Sequence, residues 1–291
     1  MTETKSSKPY LSLCSLYKDH AEYLREWIEF HRLVGVERFY LYDNESSDDH
    51  EAVLAPYIER GIVEVQEWPT PASVERGVPW AIIDAFNDCI ARHRYDSRWI
   101  GFIDIDEFLF SPSGRPLPEV LTGFEQFSGV EVSRLDFGPS EHEAKPPGLV
   151  IENYTTRRSY VSPKKDWEFV KSIVDPARTS HAFNAHGFFY TEGYAVNEDG
   201  ERALEDPPGR RVFPKTAVLR INHYITKSKE EYLRKAAQWA AAGRPFPDDD
   251  PSGFFDFLNA ERDETIKMYA PALREALERT PATSAPPPRQ A

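Results

Sequence analysis

Cysteine is almost missing from this chain: Cys14 and Cys89 are the two in 291 residues, and each lies inside an apolar run. That argues against a disulfide or metal pair and leaves both thiols as small core residues. Cationic side chains are also short, 35 Lys and Arg against 48 Asp and Glu, for a net charge of -13. Such a chain lacks the positive field that a phosphate backbone requires, so no nucleic acid is expected as a partner. One local lysine or a metal ion is still enough to hold a small anionic ligand. No run approaches the ~18 apolar residues of a membrane span, and the opening "MTETKSSKPY" lacks the apolar centre of a signal peptide. A cytoplasmic protein is expected, touching a membrane only peripherally.

What is present is a folding core. Hydrophobic residues make up 40% and aromatics 13% of the chain, enough for one large domain. Strand and helix signals alternate through the first third. "YLSLCSL" is a strand, followed by a helix with Leu24, Trp27, Ile28 and His31 at helical spacing and Gly35 at its exit. "VERFYLYD" is the second strand, and "DNESSDD" offers N-caps to a helix that ends near Ile58. "GIVEVQEW", the helix "VPWAIIDAFNDCIARHRY" and a fourth strand, "WIGFIDI", complete a βαβαβαβ run. Near-continuous apolar strands in that order imply an α/β fold, a mainly parallel central sheet flanked by helices. Ligands then gather at the C-terminal strand ends, where Lys18, Asp43, Asn44, Asp104 and Asp106 fall.

Beyond Pro118 the strands are shorter and less regular, among them "GVEVSRLDFG", "FVKSIVD" and "AVLRINHYIT", followed by the helix "SKEEYLRKAAQWAAAG" and a terminal helix within "GFFDFLNAERDETIKMYAPALREAL". No repeat is present. The expected organisation is a flexible start at 1–9, a ligand-binding βαβ half at 10–118, a second half of the same domain at 119–278, and a disordered Pro-rich tail at 279–291.

The acid pair in "FIDIDEF" is the strongest chemical signal. Two residues apart on an extended segment, Asp104 and Asp106 face one side while Ile105 packs on the other. Oxygen donors of this kind suit Mg2+ or Mn2+, which keep open positions for phosphate oxygens. A D-x-D alone is also consistent with a cap or a salt-bridge partner.

The surroundings of the pair resemble glycosyltransferase family 92 within the family 2-like enzymes. The similarity is carried by "LYKDHAEYLREWIEFHRLVGVERFYLYDNESSDD", "YIERGIVEVQEWP", "FNDCIARHRYDSRWIGFIDIDEFLF", "DFGPSEHEAKPPGLVIENYTTR", "VKSIVDPARTSHAFNAHG" and "INHYITKSKEEYLRK", in that order over about residues 10 to 240. The resemblance implies a GT-A fold, Rossmann-like and built for nucleotide-diphospho-sugars. It implies inverting transfer of a hexose, galactose first, from a UDP-sugar to a glycan or lipid-linked hydroxyl acceptor. It also implies Mn2+ (or Mg2+) at the D-x-D, with Asp106 the main ligand and Asp104 on metal or ribose. By the same resemblance Lys18, Asp43 and Asn44 face the nucleotide.

Inverting transfer needs a base for the acceptor hydroxyl, and Glu107, Glu141 and His142 are its candidates. Glu141 stands where the family usually has a small residue. His186 and His223 are candidates for a further metal ligand, and Lys171 and Lys227 for the leaving diphosphate. Each has a plain structural alternative: Asn44 serving the turn, Asp48 capping a helix, Lys18 solvated, either histidine a core residue, and Ser228 with Glu231 forming a capping box beside Lys227. Two other functions compete. One is a haloacid-dehalogenase-like phosphatase with Asp104 as nucleophile and Asp106 as acid/base, although that chemistry places its pair on the first strand and a hydroxyl where Phe108 stands. The other is a nucleotide- or glycan-binding module without turnover.

Overall fold

A computed structural model of the chain describes residues 8–69, 78–160, 168–203, 210–211, 214–241 and 251–280. The expectations for 1–7 and 281–291 lie outside the described residues. Eight strands form the spine: β1 (Leu11–Tyr17), β2 (Arg38–Asp43), β3 (Val63–Glu67), β4 (Trp99–Phe102), β5 (Glu107–Phe110), β6 (Gly129–Asp136), β7 (Glu168–Val174) and β8 (Arg220–His223). Their order in the sheet is β3-β2-β1-β4-β7-β6-β8-β5. The first four run parallel, as the βα alternation requires. β7 then enters antiparallel between β4 and β6. β8 lies parallel to β6 and antiparallel to β5. This is a mixed α/β sheet with one parallel half, the GT-A layout.

Helices cover both faces. α1 (Ala21–Leu33) buries Leu24, Trp27, Ile28 and His31, and with Leu54 and Tyr57 of α2 (His50–Glu59) it packs on Leu11, Leu13, Phe39 and Leu41. α3 (Val78–His93) packs Phe86, Cys89 and Ile90 against Cys14, Tyr40, Ile100 and Phe102 on the other face. Cys14 and Cys89 are both free and buried, as small core residues. Gly35 leaves α1 at φ +104, and a Cβ there would stand 2.5 Å from Pro118 Cδ. No described helix is long and apolar enough to cross a membrane.

Three local expectations change. The fourth strand ends at Phe102 rather than Ile105, and the chain turns through 103–106 before β5 sets off in a new direction. The "DNESSDD" segment does not cap α2 through a side chain. Asp48 instead accepts from the Ala21 N–H at 2.7 Å, holding the first turn of α1. The expected terminal helix is broken into Ser252–Leu258, a two-residue strand at Glu261–Arg262 and a helix at Ala270–Arg279. Asp263 between them is tied to Arg157 and Arg220, each at 2.9 Å, and Pro271 sits in the first turn of the last helix, where proline is tolerated.

α1 also completes the edge of the sheet. Among the described residues β5 has one strand neighbour, β8, so one row of its backbone groups must find partners elsewhere. Trp27 Nε1 donates to the Glu107 carbonyl at 2.8 Å, and His31 Nε2 accepts the Leu109 N–H at 3.1 Å while its Nδ1 bonds the Trp27 carbonyl at 2.8 Å. The fully buried ring is therefore a neutral Nδ1–H imidazole, and burial pushes its pKa down to about 3. His31→Leu is expected to cost about 2–4 kcal/mol in urea unfolding, because two buried backbone groups lose partners. A neutral folded histidine contributes fully above its unfolded pKa of about 6.5 and less as pH falls toward 3. The stability gap between wild type and variant should therefore shrink from pH 7 to pH 5.

Candidate active site

The turn that separates β4 from β5 is held from both ends. Glu107 N–H donates to the Asp104 carbonyl at 3.1 Å, and Glu107 Oε2 accepts the Asp104 N–H at 2.9 Å. Tyr224 N–H donates to the Asp106 carbonyl at 2.8 Å. Ile103 and Ile105 are buried in the core, which leaves Asp104 and Asp106 to project together over the strand ends.

Charges alternate around them. Lys171, in the middle of β7 and 1% exposed, donates to Asp104 Oδ2 at 2.8 Å and lies 3.5 Å from Glu107 Oε2. Arg134 of β6 reaches Glu107 at 3.4 Å and Asp136 at 3.2 Å. Asp136 binds His223 Nδ1 at 2.7 Å, and His223 Nε2 stands 3.6 Å from Asp106 Oδ1. Lys235, on α4 (Lys229–Ala241), lies 3.3 Å from Asp106 Oδ2. The Lys227 ammonium sits 3.8 Å from the centre of the Tyr23 ring, with its backbone in the left-handed region at φ 51.

This network sets the ionisation of its members. Burial opposes charge on Asp106, but Lys235, His223, Lys227 and His20 outweigh it and hold the carboxyl well below its usual range. Burial likewise opposes charge on Asp104, and Lys171 reverses the effect. At Asp136 burial is overcome by Arg134 and the His223 hydrogen bond, giving a pKa of about 2. Glu107 goes the other way: burial pushes its pKa up. Burial, opposed by Asp106, leaves Lys227 lowered to about 8.

The expected site residues divide accordingly. Asp104, Asp106, Lys171, His223 and Lys227 are brought together. Glu107 is brought there too but is fully buried under Lys171 and Arg134, so it shapes the turn and faces no acceptor. His186 lies close enough for Lys171 and Asp104 to act on its charge, yet its Nδ1 is bonded to the Val170 carbonyl at 2.9 Å. Burial first, then Lys171, lowers its pKa to about 3.

After β1 and β2, Asp43 Oδ1 accepts the Ser46 N–H at 3.1 Å, Asn44 Nδ2 donates to the Trp68 carbonyl at 2.8 Å, and Lys18 is exposed. Asn44 thus serves its turn. Glu141, at φ 64, accepts from Asn259 Nδ2 at 3.2 Å, and His142 Nε2 pairs with the Asn153 carbonyl at 3.1 Å. Among the described residues no hydrogen bond or ion pair joins either to the aspartates. Ser228 and Glu231 form the reciprocal capping box at the start of α4.

Sequence reasoning missed His20, Arg134, Asp136 and Lys235. Asp136 carried a usable signal, since it ends an apolar strand just as Asp106 follows one. His20 and Lys235 carried none; each reaches the site only through the placement of its helix.

The sheet order, with the acid turn at the ends of the parallel strands, is that of a GT-A fold. The model of glycosyltransferase family 92 matches residues 10–198, and the chain belongs to that family. A family 92 protein of Ricinus communis is 30% identical over 249 residues, covering 81% of this chain and 40% of its own length. One from Oryza sativa subsp. japonica is 34% identical over 220 residues, covering 74% and 33%. Galactan beta-1,4-galactosyltransferase GALS1 of Arabidopsis thaliana is 26% identical over 237 residues, covering 76% and 43%. The chain therefore spans about a third to two-fifths of the length of these relatives. Among solved structures, S. aureus TarS 1-349 in complex with UDP aligns at a TM-score of 0.36 and 11% identity, over 58% of this chain and 47% of that one.

Lys171→Met leaves Asp104 and Glu107 without their shared buried cation. The expected loss is about 3–5 kcal/mol of folding stability in urea. A double variant Lys171→Met, Glu107→Gln should recover part of it.

Proposed function

We propose that this chain transfers a hexose, galactose first, from a UDP-sugar to a hydroxyl of a glycan or lipid-linked acceptor, with inversion and with a divalent cation at the acid turn. The observation that carries the reading is the placement of Asp106, on the acid turn of a family 92 chain, 3.6 Å from His223 Nε2. The named activity of GALS1 supports galactose as the first donor to try. The phosphatase alternative fits poorly, since the pair follows the fourth strand of the chain and Phe108 is buried in the core.

The side chains present suit a hard cation. Among the described residues no group of three or more His, Cys, Asp or Glu is placed to enclose a metal, so a cation held here would take the rest of its shell from ligand oxygens and water. Asp106 Oδ1 and His223 Nε2 are 3.6 Å apart, within twice the roughly 2.1 Å bond of a small divalent ion. Asp106 and His223 would hold it, with Asp104 on the metal or the ribose. When bound, such an ion neutralises charge on the departing diphosphate.

The chain's own groups account for the remaining steps. Lys227 and Lys235 flank Asp106 and offer positive charge to the diphosphate. Lys18 and Asp43 face the nucleotide. Proton removal falls to the loop of Glu141 and His142. With His142 Nε2–H donating to the Asn153 carbonyl, the lone pair lies on Nδ1, the state a base requires.

Calorimetric titration of UDP into the protein tests the reading. Binding should need Mn2+ and weaken at least tenfold in Asp106→Ala. UDP binding that is equal with and without Mn2+, and equal in the variant, would overturn it.

A further inference from the structure

His223 stands between two carboxylates. Its Nδ1 is 2.7 Å from Asp136 Oδ1, and its Nε2 is 3.6 Å from Asp106 Oδ1. Strand register builds the arrangement: His223 on β8 is the pairing partner of Asp136 on β6, and the Phe137 N–H fixes that end of the ladder by donating to the His223 carbonyl at 2.8 Å. Asp136 is itself braced. Arg134 Nε lies 3.2 Å from Oδ1, Arg158 flanks Oδ2 at 3.9 Å, and the Asp136 N–H donates to the Tyr160 hydroxyl at 2.7 Å. A carboxylate has no proton to give, so the imidazole donates from Nδ1. In the neutral ring the lone pair then belongs to Nε2, the nitrogen turned toward Asp106.

We propose that Asp136 is a positioning residue: it fixes His223 as the Nδ1–H tautomer and so holds the Nε2 lone pair ready for a divalent cation shared with Asp106. The inference rests on the metal-dependent reading above. It adds the group without which His223 is free to rotate, or to carry its proton on the nitrogen that must bind. Outer partners of this kind orient metal-binding histidines and raise their basicity.

Two readouts test it. NMR of the 15N-labelled histidine rings in metal-free protein reports the tautomer, with His223→Ala assigning the signal. The electron paramagnetic resonance of free Mn2+ reports affinity in the presence of UDP. Wild type should show Nδ1–H. Asp136→Ala should shift to Nε2–H and bind Mn2+ about 10–100-fold more weakly, and Asp136→Glu should restore part of both.

Retention of the Nδ1–H form in Asp136→Ala overturns the inference, and so does unchanged Mn2+ affinity in a variant whose tautomer has switched. Failure of the underlying reading looks different. A wild type with the Nδ1–H tautomer that binds no Mn2+ beside UDP refutes the metal and the ligand assigned to Nε2, while the coupling of Asp136 to His223 stands. If circular dichroism shows Asp136→Ala unfolded, Asp136→Ser carries the same two readouts with a smaller expected shift.

Discussion

A single buried ammonium allows the acid turn to exist. Asp104 and Glu107 lie within one tight turn at the end of an apolar strand, where two uncompensated carboxylates would repel each other at low dielectric. Lys171 reaches both from a strand that runs opposite to β4. The antiparallel insertion of β7 therefore brings a cation to the end of the parallel half. Charge alternation then continues through Arg134, Asp136 and His223 to Asp106, so each side chain of the site is held by a neighbour of opposite sign.

Beneath this polar layer, α1 gives the turn its footing. Trp27 and His31 meet the edge of β5 with side-chain hydrogen bonds in place of a neighbouring strand. Both bonds occupy backbone groups that another strand would need. The first turn of the same helix brings His20 to Asp106, and its start is held by Asp48 from the loop after β2. One helix thus connects the core, the acid turn and the loop after β2.

The parallel half was legible in the sequence because its signals are local. Apolar strands, helical spacing at Leu24, Trp27, Ile28 and His31, and Gly35 at an exit each occupy a short window. The acid pair was legible for the same reason. What escaped depended on pairing between distant segments. The role of Asp136 needs its register with His223, and that of Glu107 needs the turn that interrupts the fourth strand. Lys235 is one of several charged residues on a polar helix until packing aims it at Asp106. The terminal segment read as one helix because its periodicity holds on both sides of Asp263, whose ties to Arg157 and Arg220 no local pattern announces.

The strand order also sets when the site can come into being. β5 and β6 follow each other in the chain, yet they are not neighbours in the sheet: β8, made much later, lies between them. As the chain leaves the ribosome, the acid turn and Asp136 emerge with an open slot between their strands, and the imidazole that joins them arrives only with Arg220–His223. A truncated product ending before β8 would retain the D-x-D and the parallel strands but have no histidine to join Asp136 to Asp106. The family's most legible motif thus precedes, by more than a hundred residues of synthesis, the strand that couples its carboxylates to the rest of the site.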